Sequence, residues 1–553
     1  MKKHFFSKHY LHCVFIVSLL LIGTLATGKH QDKHFKLSKN LEVLAHVLKE
    51  LDAYYVHDID YDDLLETGIH AMLQSLDPYT SFIPEESSAS FKTLTTGAYE
   101  GIGAVIGTRQ HKNLVFMLYK DAPAYKGGLR VGDEIIQVDG EDVCNKPIEQ
   151  VSSLLRGEPN TTVRATVARY ACPQPLELTL TRDKVTLKNV LYSGQIKQGI
   201  GYIKLANFTT QVSDEVKVAI KALKNSGAQK LILDLRGNPG GVLEEAVKVV
   251  NLFLDKGLQV VETKSRLENI ANTYRTEQAA YDSQIPLVVL IDQGSASAAE
   301  IVAGVIQDYD RGILIGKKTY GKGLVQAVRP LRYQAQLKVT TAQYYIPSGR
   351  SIQKVSYQQQ RGTQQATELA DELKGMFKTK QGRTVYEGDG ITPDLEIDKL
   401  SLSPITTSLL VQGLIFDYTT VFCAKHDTIA PAQDFRLSEA QYQDFIAWLA
   451  DKEYPYTIET SLDQLSAQAQ NEAYPEDIQT QIVALKLQVQ HQKEADLQTY
   501  SEEIKLILQE SVAGRYYFQE GTIEAMLTHD QAIQKACTLL DDMDQYQAML
   551  QPS

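Results

Sequence analysis

Residues 285–309, IPLVVLIDQGSASAAEIVAGVIQDY, contain the pattern from which the fold class follows most directly. The segment opens with a short, continuous apolar run, which is typical of a strand buried on both faces of a sheet. A loop of small residues follows at 292–297, and the apolar residues after it have helical spacing. This strand–loop–helix order predicts an α/β unit with Ser295 and Ser297 at the carboxyl end of the strand, where α/β folds bind their ligands.

The same alternation of strands and helices continues over residues 190–400, which we therefore assign to one α/β domain. Its strands are predicted from near-continuous apolar runs, and its helices from apolar residues at intervals of three and four. The predicted strands are 200–208, 231–236, 286–292 and 312–316, and the predicted helices are 214–225, 242–254 and 298–309.

Three further regions surround this domain. Residues 38–76 show helical periodicity, which Pro78 and Pro84 end, and residues 38–95 are predicted to form a helical N-terminal segment without chemistry of its own. Residues 97–183 consist of short β-type runs separated by glycines, which indicates a β-rich domain. Residues 401–553 are polar, with helical spacing at 501–518 and 523–540, and predict a helical C-terminal domain that serves packing, homo-oligomer formation or regulation.

The N-terminus has the features of an export signal. Lys2, Lys3 and Lys8 precede the apolar residues 13–26, and small and polar residues follow. A membrane-spanning helix needs about 20 apolar residues, so this run is short for a span. We expect residues 1–28 to be a cleaved signal peptide or an uncleaved membrane anchor, with a buried first helix as the alternative. The protein is therefore expected in the periplasm or on the outer face of the cytoplasmic membrane.

Charge and cysteine content narrow the functional class. The net charge of −12 argues against nucleic acid as the main partner, because no basic excess is present to neutralise phosphates. The cysteines lack C-x-x-C spacing, so no zinc site is predicted. A disulfide between Cys144 and Cys172 and unpaired buried thiols are both compatible with the sequence.

A lysine downstream of the two serines offers a chemical role for one of them. Serines at helix N-termini often serve only as caps, although the free N–H groups there also favour developing negative charge. Lys322 lies between two glycines in TYGKGLVQ, 319–326. A neutral lysine can activate a serine as histidine does elsewhere, provided that desolvation lowers its pKa. The alternative is an ordinary surface lysine in a loop.

A glycine-rich turn, GNPGG at 237–241, follows the predicted strand 231–236. Such a turn can direct backbone N–H groups towards one point, as an oxyanion hole requires. Turns of this kind also bind phosphate, but the nucleotide-binding patterns G-x-G-x-x-G and G-x-x-x-x-G-K-[ST] are absent here.

The β-rich region resembles a PDZ domain. GIGA at 101–104 stands where such domains have their carboxylate-binding loop, and AYKGGLRVGDEIIQVDG at 124–140 resembles their most recognisable stretch. The resemblance implies that Gly101, Ile102, Gly103 and Ala104 hold the terminal carboxylate of a peptide that adds as a strand to a sheet edge. The alternative is a β-rich spacer whose glycines serve only turns.

Taken together, the motifs resemble the carboxyl-terminal processing peptidases, or tail-specific proteases, of the S41-type serine protease family. The resemblance covers residues 38–398 and implies an α/β core of crotonase type with a PDZ domain before it. The motifs that carry it are LILDLRGNPGGVL (231–243), DQGSASAAEIVAGVIQDYDRG (292–312), GKKTYGKGLVQ (316–326), YYIPSGRSIQ (344–353) and GDGITPDLEI (388–397).

The resemblance assigns roles to five residues. Ser297 becomes the nucleophile, Lys322 the base and Gln326 the residue that orients the lysine amine. The N–H groups of Gly241 and Ala298 become the oxyanion donors. The spacing of four residues between Lys322 and Gln326 suits this role if the segment is helical, because residues i and i+4 share one face of a helix.

The expected function is a serine endopeptidase that cleaves exported proteins selected by their C-terminal tails, without a metal or organic cofactor. Two alternatives come from other classes. One is a non-catalytic PDZ adaptor with a protease-like scaffold, and the other is a crotonase-like acyl-CoA enzyme.

Overall fold

The structure is a computed structural model that describes residues 34–357, 367–368, 375–398 and 402–552, so the predicted export segment lies outside the described residues. The chain divides into two compact units, and the boundary between them in the sequence falls between Ser75 and Leu76. Within the described ranges, no single helix is long and apolar enough to cross a membrane. A bent pair of helices, Pro404–Val411 and Leu414–Lys425, meets that criterion by length and composition.

The N-terminal unit contains two helices, α1 at 34–54 and α2 at Tyr61–Gln74. Asp60 caps α2, since its carboxylate accepts hydrogen bonds from the N–H groups of Asp62 and Asp63. These helices agree with the helical periodicity predicted for this part of the chain.

A largely parallel sheet forms the centre of the second unit. Its strand order is β10-β11-β12-β15-β16-β23, and only the pair β10–β11 is antiparallel. Burial on both faces explains the continuous apolar runs of its four inner strands. The strands are β10 (Val190–Lys197), β11 (Ile200–Leu205), β12 (Lys230–Asp234), β15 (Leu287–Ile291), β16 (Ile313–Gly316) and β23 (Leu395–Glu396).

Helices cover both faces of this sheet, as the alternation of strands and helices predicts. Helices α6 (Val212–Asn225), α7 (Leu243–Asn251) and α8 (Ala298–Asp308) share a hydrophobic core with one face. The other face packs against α15 (Gln531–Asp541) and α16 (Met543–Met549), from the end of the chain. The last two helices are thus a physical layer of the α/β domain, although they belong to the predicted C-terminal domain.

An antiparallel sheet lies next to the central one. Its strand order is β1-β18-β13-β14, and β17 also pairs with β18. The strand β1 corrects the prediction of a purely helical segment at 38–95, because its partner β18 lies far away in sequence. The elements are β1 (Ser81–Ile83), β13 (Gln259–Lys264), a 3₁₀ turn (Glu268–Ile270), β14 (Asn272–Arg275), β17 (Leu324–Pro330) and β18 (Gln336–Tyr345).

The β-rich domain contains a sheet of order β3-β4-β5-β7-β8, in which β6 also pairs with β5. Strands β2 and β9 form a separate antiparallel ribbon at its two ends. Its elements are α3 (Glu85–Thr96) before it, then β2 (Ala98–Gly101), β3 (Ala104–Arg109), β4 (Lys112–Leu118), α4 (Pro123–Lys126), β5 (Glu134–Val138), β6 (Glu141–Asp142), α5 (Ile148–Leu155), β7 (Thr162–Ala168), β8 (Leu176–Thr181) and β9 (Asp183–Thr186).

The remaining C-terminal helices pack around a hydrophobic core of their own. The first predicted helical run, 501–518, ends where the structure has a non-helical residue, because Phe518 (φ 59°, ψ −154°) forms a kink within Ser501–Met526. The second predicted run, 523–540, is interrupted by a turn at 527–530. The helices are α9 (Pro404–Val411), α10 (Leu414–Lys425), α11 (Glu439–Leu449), α12 (Thr457–Asn471), α13 (Glu476–Thr499) and α14 (Ser501–Met526).

Short strand pairs and free thiols complete the description. Cys144 and Cys172 are both exposed and unpaired, so the disulfide considered between them is absent and these two thiols are not buried. The short strands are β19 (Val355–Ser356), β20 (Thr367–Glu368), β21 (Met376–Lys378) and β22 (Thr384–Tyr386).

Candidate active site

The two serines after β15 have different environments. Ser295 is fully buried, and its hydroxyl donates to the Leu235 carbonyl oxygen at 2.8 Å and accepts from the Asp292 N–H at 3.0 Å. Ser297 is half-buried and forms the N-cap of α8 with φ 56° and ψ −115°. A non-glycine residue in this backbone region is strained, as is common at functional sites. The Ser295 hydroxyl is thus engaged with backbone atoms, whereas Ser297 is partly exposed at the N-terminus of α8.

The glycine-rich turn after β12 lies directly against Ser297. Gly240 has φ +94°, and a Cβ atom added there would be 2.8 Å from Ser297 Cβ and 2.8 Å from the Ala298 nitrogen. The N–H groups of Gly241 and Ala298 donate no hydrogen bond to any described atom. The structure thus brings both predicted oxyanion donors to the loop that carries Ser297.

A buried carboxylate joins the serine and lysine loops. Glu300 is fully buried, and its Oε2 accepts from the N–H of Ser297 at 2.9 Å and the N–H of Lys322 at 2.8 Å. Its Oε1 accepts from the Gly321 N–H at 2.8 Å and from the Thr319 hydroxyl at 2.5 Å. Burial raises the pKa of Glu300 to about 7, against the lowering effect of these donors.

Every backbone N–H and C=O group of residues 321–323, the lysine loop, forms a hydrogen bond. In the 321–323 segment, two N–H groups bind Glu300, and the third donates to Gln353 Oε1 at 2.7 Å. Its carbonyl oxygens accept from the Lys354 N–H, from the Tyr344 hydroxyl and from the Tyr344 N–H. These hydrogen bonds fix the backbone of Lys322 and do not involve its side chain.

The Lys322 amine lies in an environment that favours its neutral form. It is 4.8 Å from the centre of the Tyr79 ring and forms no ion pair with a described carboxylate. Burial, and secondly the charge of Lys338, lower its pKa to about 8, although Glu300 and Asp77 act in the opposite direction. No hydrogen bond joins this amine to the Ser297 hydroxyl in the structure.

Gln326 corrects one expectation. Residues 324–330 form β17 rather than a helix, and the ladder with β18 is irregular between Val325 and Gln326. The Gln326 amide donates to Thr340 Oγ1 at 3.3 Å, and no contact with Lys322 is described. Residues four apart also share a face in a strand, so the spacing that suggested a helix does not distinguish the two structures.

Sequence reasoning missed two neighbours of the proposed pair. Glu300 follows Ser297 by three residues, which is the S-x-x-E pattern of a capping box and could have drawn attention to it. Tyr79 belongs to a segment that we expected to have no chemistry, and only the tertiary structure brings it to Lys322. The described ranges contain no group of three or more His, Cys, Asp or Glu side chains that could hold a metal ion.

The β-rich domain has a groove of about 900 Å³ between β3 and α5. Ile102, Ala104 and Leu155 line the groove, and β3 is an edge strand of its sheet. Gly103 has φ +78°, and the N–H groups of Gly103 and Ala104 face the Tyr99 hydroxyl. Burial raises the pKa of Tyr99 to about 12 despite these donors. Gly101 lies against the Tyr99 ring and pairs with Asp183 in the β2–β9 ribbon.

Comparisons with known proteins agree with this architecture. Residues 199–360 match the peptidase family S41, residues 118–169 match the PDZ domain, and residues 405–540 match the C-terminal helical domain of probable PDZ-proteases. A carboxy-terminal-processing protease from Bartonella bacilliformis is 33% identical over 346 residues, which are 62% of this chain and 78% of that protein.

More distant matches have related names. A probable CtpA-like serine protease from Staphylococcus aureus is 32% identical, over 61% of this chain and 66% of that protein. The solved photosystem II D1 C-terminal processing protease is 29% identical, over 64% of this chain and 86% of that chain, with a TM-score of 0.35. The chain therefore belongs to the carboxy-terminal-processing proteases of peptidase family S41, which are serine-type hydrolases, and it contains a PDZ domain.

Proposed function

We propose that the protein is an endopeptidase in which Ser297 is the nucleophile and Lys322 the general base. Neutral Lys322 takes the hydroxyl proton of Ser297, and the serine oxygen attacks a peptide carbonyl carbon. The N–H groups of Gly241 and Ala298 stabilise the tetrahedral oxyanion. The ammonium returns its proton to the leaving amine, and water, activated by the same lysine, then hydrolyses the acyl-enzyme.

The shared contact with Glu300 carries this proposal. One carboxylate oxygen accepts from the backbone N–H of both Ser297 and Lys322, so the two reactive residues are fixed relative to one buried atom. The absence of a hydrogen bond between their side chains is compatible with a resting site, because catalytic hydrogen bonds often tighten only when substrate binds. Gln326 orients the amine once that contact forms.

We assign substrate selection to the PDZ groove. Its open edge strand and apolar lining suit an extended peptide that adds to β3, with the terminal carboxylate at the 101–104 loop. The carboxylate must then displace the Tyr99 hydroxyl from the N–H groups of Gly103 and Ala104. Substrates are therefore proteins with accessible, loosely folded C-terminal tails.

Export and the class of the core are also proposals. The basic and apolar residues at 1–28 support delivery to the periplasm or to the outer face of the cytoplasmic membrane. The resemblance of the motifs supports a crotonase-type core, since helices cover both faces of the central sheet.

Cleavage of casein, a loosely folded protein, tests the catalytic assignment. Ser297→Ala and Lys322→Ala are expected to lose activity by at least a thousandfold, whereas Ser295→Ala keeps a measurable fraction. Full cleavage by either of the first two variants would refute the assignment, whereas a wild-type protein that does not cleave casein would favour a non-catalytic PDZ adaptor. Loss that is confined to Ser295→Ala would move the nucleophile by two residues.

A further inference from the structure

We propose that Tyr79 is a positioning residue of the active site, and that its ring forms the wall that holds the Lys322 amine and keeps water from it. This inference rests on the proposed role of Lys322 as the base.

The contact between the two side chains is direct. The Lys322 amine lies 4.8 Å from the centre of the Tyr79 ring, within the range of a cation–π contact. The Tyr79 ring also makes a T-shaped contact with the Tyr357 ring, with the ring centres 5.9 Å apart and the ring planes at 89°. The wall is therefore itself held in place by packing.

The segment that carries Tyr79 is fixed by hydrogen bonds. The Asp77 carboxylate accepts from the Tyr79 N–H at 2.8 Å, the Thr80 N–H at 2.7 Å and the Thr80 hydroxyl at 2.9 Å. The next residues form β1, which pairs with β18 from Ser81 to Ile83. This short segment is thus anchored at both ends of the position that faces Lys322.

The same segment is linked to Gln326. Thr340 on β18 donates its N–H to Thr80 Oγ1 at 3.2 Å, and Thr340 Oγ1 accepts from the Gln326 amide at 3.3 Å. The base and the residue proposed to orient it therefore both depend on the 77–83 segment, which lies more than 200 residues earlier in the chain.

The direction of the effect on Lys322 can be derived from its surroundings. The ring attracts an ammonium group through its quadrupole, but it also excludes water, which disfavours the ammonium form. Burial is the largest influence on the pKa of Lys322, so the exclusion of water dominates. The charged groups that act on the amine are Lys338 from β18, Glu300 from α8 and Asp77. Tyr320 and Tyr357 are neighbours of Tyr79.

The pH dependence of kcat/KM for casein tests the proposal. Tyr79→Ala admits water to the amine and is expected to move the acid limb of the profile upward by about one pH unit, with a roughly tenfold loss below the limb. Tyr79→Phe keeps the ring and is expected to keep the limb. The matched control is Tyr281→Ala, which removes a ring that lies 5.6 Å from the Lys217 amine and 5.9 Å from the Lys224 amine, away from the site.

Two outcomes would overturn the inference: an acid limb of Tyr79→Ala that stays at the wild-type pH, or one that moves downward. Thermal unfolding shows whether each variant folds. If Tyr79→Ala does not fold, Tyr79→Gln replaces it, because glutamine keeps more of the bulk and has a polar end. Its limb is also expected to move upward. Full activity of Lys322→Ala would instead refute the proposed base, so the two failures are distinguishable.

Discussion

At the scale of single residues, the fully buried Glu300 links the loop that carries Ser297 to the loop that carries Lys322. Its carboxylate accepts four hydrogen bonds from the serine and lysine loops without contact with water. An ionised carboxylate accepts at both oxygens, whereas a protonated one must donate at one of them. Protonation of Glu300 would therefore remove negative charge from the four donors and turn one acceptor contact into a donor contact, which weakens the hold on both loops.

The first prediction concerns the pH profile. Lys322, with a pKa of about 8, and Glu300, with a pKa of about 7, both take up protons as the pH falls, and each uptake inactivates the site. Below pH 7, we expect a plot of log kcat/KM against pH to have a slope near 2. The two apparent pKa values describe Lys322 and Glu300 together rather than either residue alone. Glu300→Gln should reduce this slope to about 1 and lower activity roughly tenfold or more. A wild-type slope of 1 would contradict the role of Glu300.

The second prediction concerns stability. The pKa of Lys322 is lower in the folded chain than in the unfolded one, so folding disfavours the ammonium form. This cost is complete below pH 8 and disappears as the pH approaches 10.5, so stability rises through that window. Lys322→Met should stabilise the protein by about 1–2 kcal/mol at pH 7, a value reduced for the partial exposure of the side chain. Urea unfolding at pH 7 and pH 10 measures the difference, and equal gains at both values would refute it.

At the scale of elements, local patterns predicted the strands and helices of the α/β domain, because their burial repeats with a clear period. The spacing between Lys322 and Gln326 does not distinguish a helix from the strand β17 that the structure contains, because a spacing of four residues suits both periods. The strand β1 has three residues, too few for a period, and it exists through its pairing with β18. The turn between α14 and α15 falls at 527–530, where helical spacing continues in the sequence.

The third prediction tests the fit between the oxyanion loop and Ser297. Gly240→Ala would place its Cβ 2.6 Å from the Ala296 carbonyl oxygen and 2.8 Å from the Ala298 nitrogen, so the loop must shift. We expect a loss of kcat of at least a hundredfold, because one misplaced oxyanion donor has an effect of that size. Gly237→Ala is the matched control, since Gly237 also has a positive φ, +67°, but no atom within 4 Å of the added Cβ. Similar losses in the two variants would show that strain alone is responsible.

At the scale of the whole molecule, the PDZ domain is docked on the C-terminal helices. Arg109 forms an ion pair with Asp417 and lies 5.1 Å from the centre of the Phe416 ring. Arg515 Nη1 on α14 donates to the Val131 carbonyl oxygen at 2.7 Å. The C-terminal helices thus hold the peptide-binding domain in a defined place.

The fourth prediction follows from this docking. Asp417→Ala leaves the largely buried Arg109 without its carboxylate, which should loosen the PDZ domain from the helices. Hydrogen exchange should become faster in β3 and β4 and stay unchanged in the central sheet. Asp451→Ala removes an exposed ion pair with Lys452 in the same helical domain and should leave both regions unchanged. Unchanged exchange at β3 and β4 in Asp417→Ala would contradict the docking.

The order of the domains could be inferred from the sequence, but their packing could not. The helices α15 and α16 have the same amphipathic spacing as their neighbours, and nothing local shows that their apolar face covers the central sheet. The motifs located Ser297, Lys322 and the glycine-rich turn, because each has an unusual local composition. Tyr79 and Gln353 reach the lysine loop only through long-range packing, which composition does not encode.

The most direct test of the central claim is covalent labelling by a serine-reactive phosphonate probe, with the modified residue identified by peptide mass spectrometry. We predict a single active-site label, on Ser297. The labelling rate should increase with pH, with a midpoint near pH 8, and should be at least a hundredfold lower in Lys322→Ala. A label on Ser295, or a rate on Ser297 that does not depend on Lys322, would contradict the account.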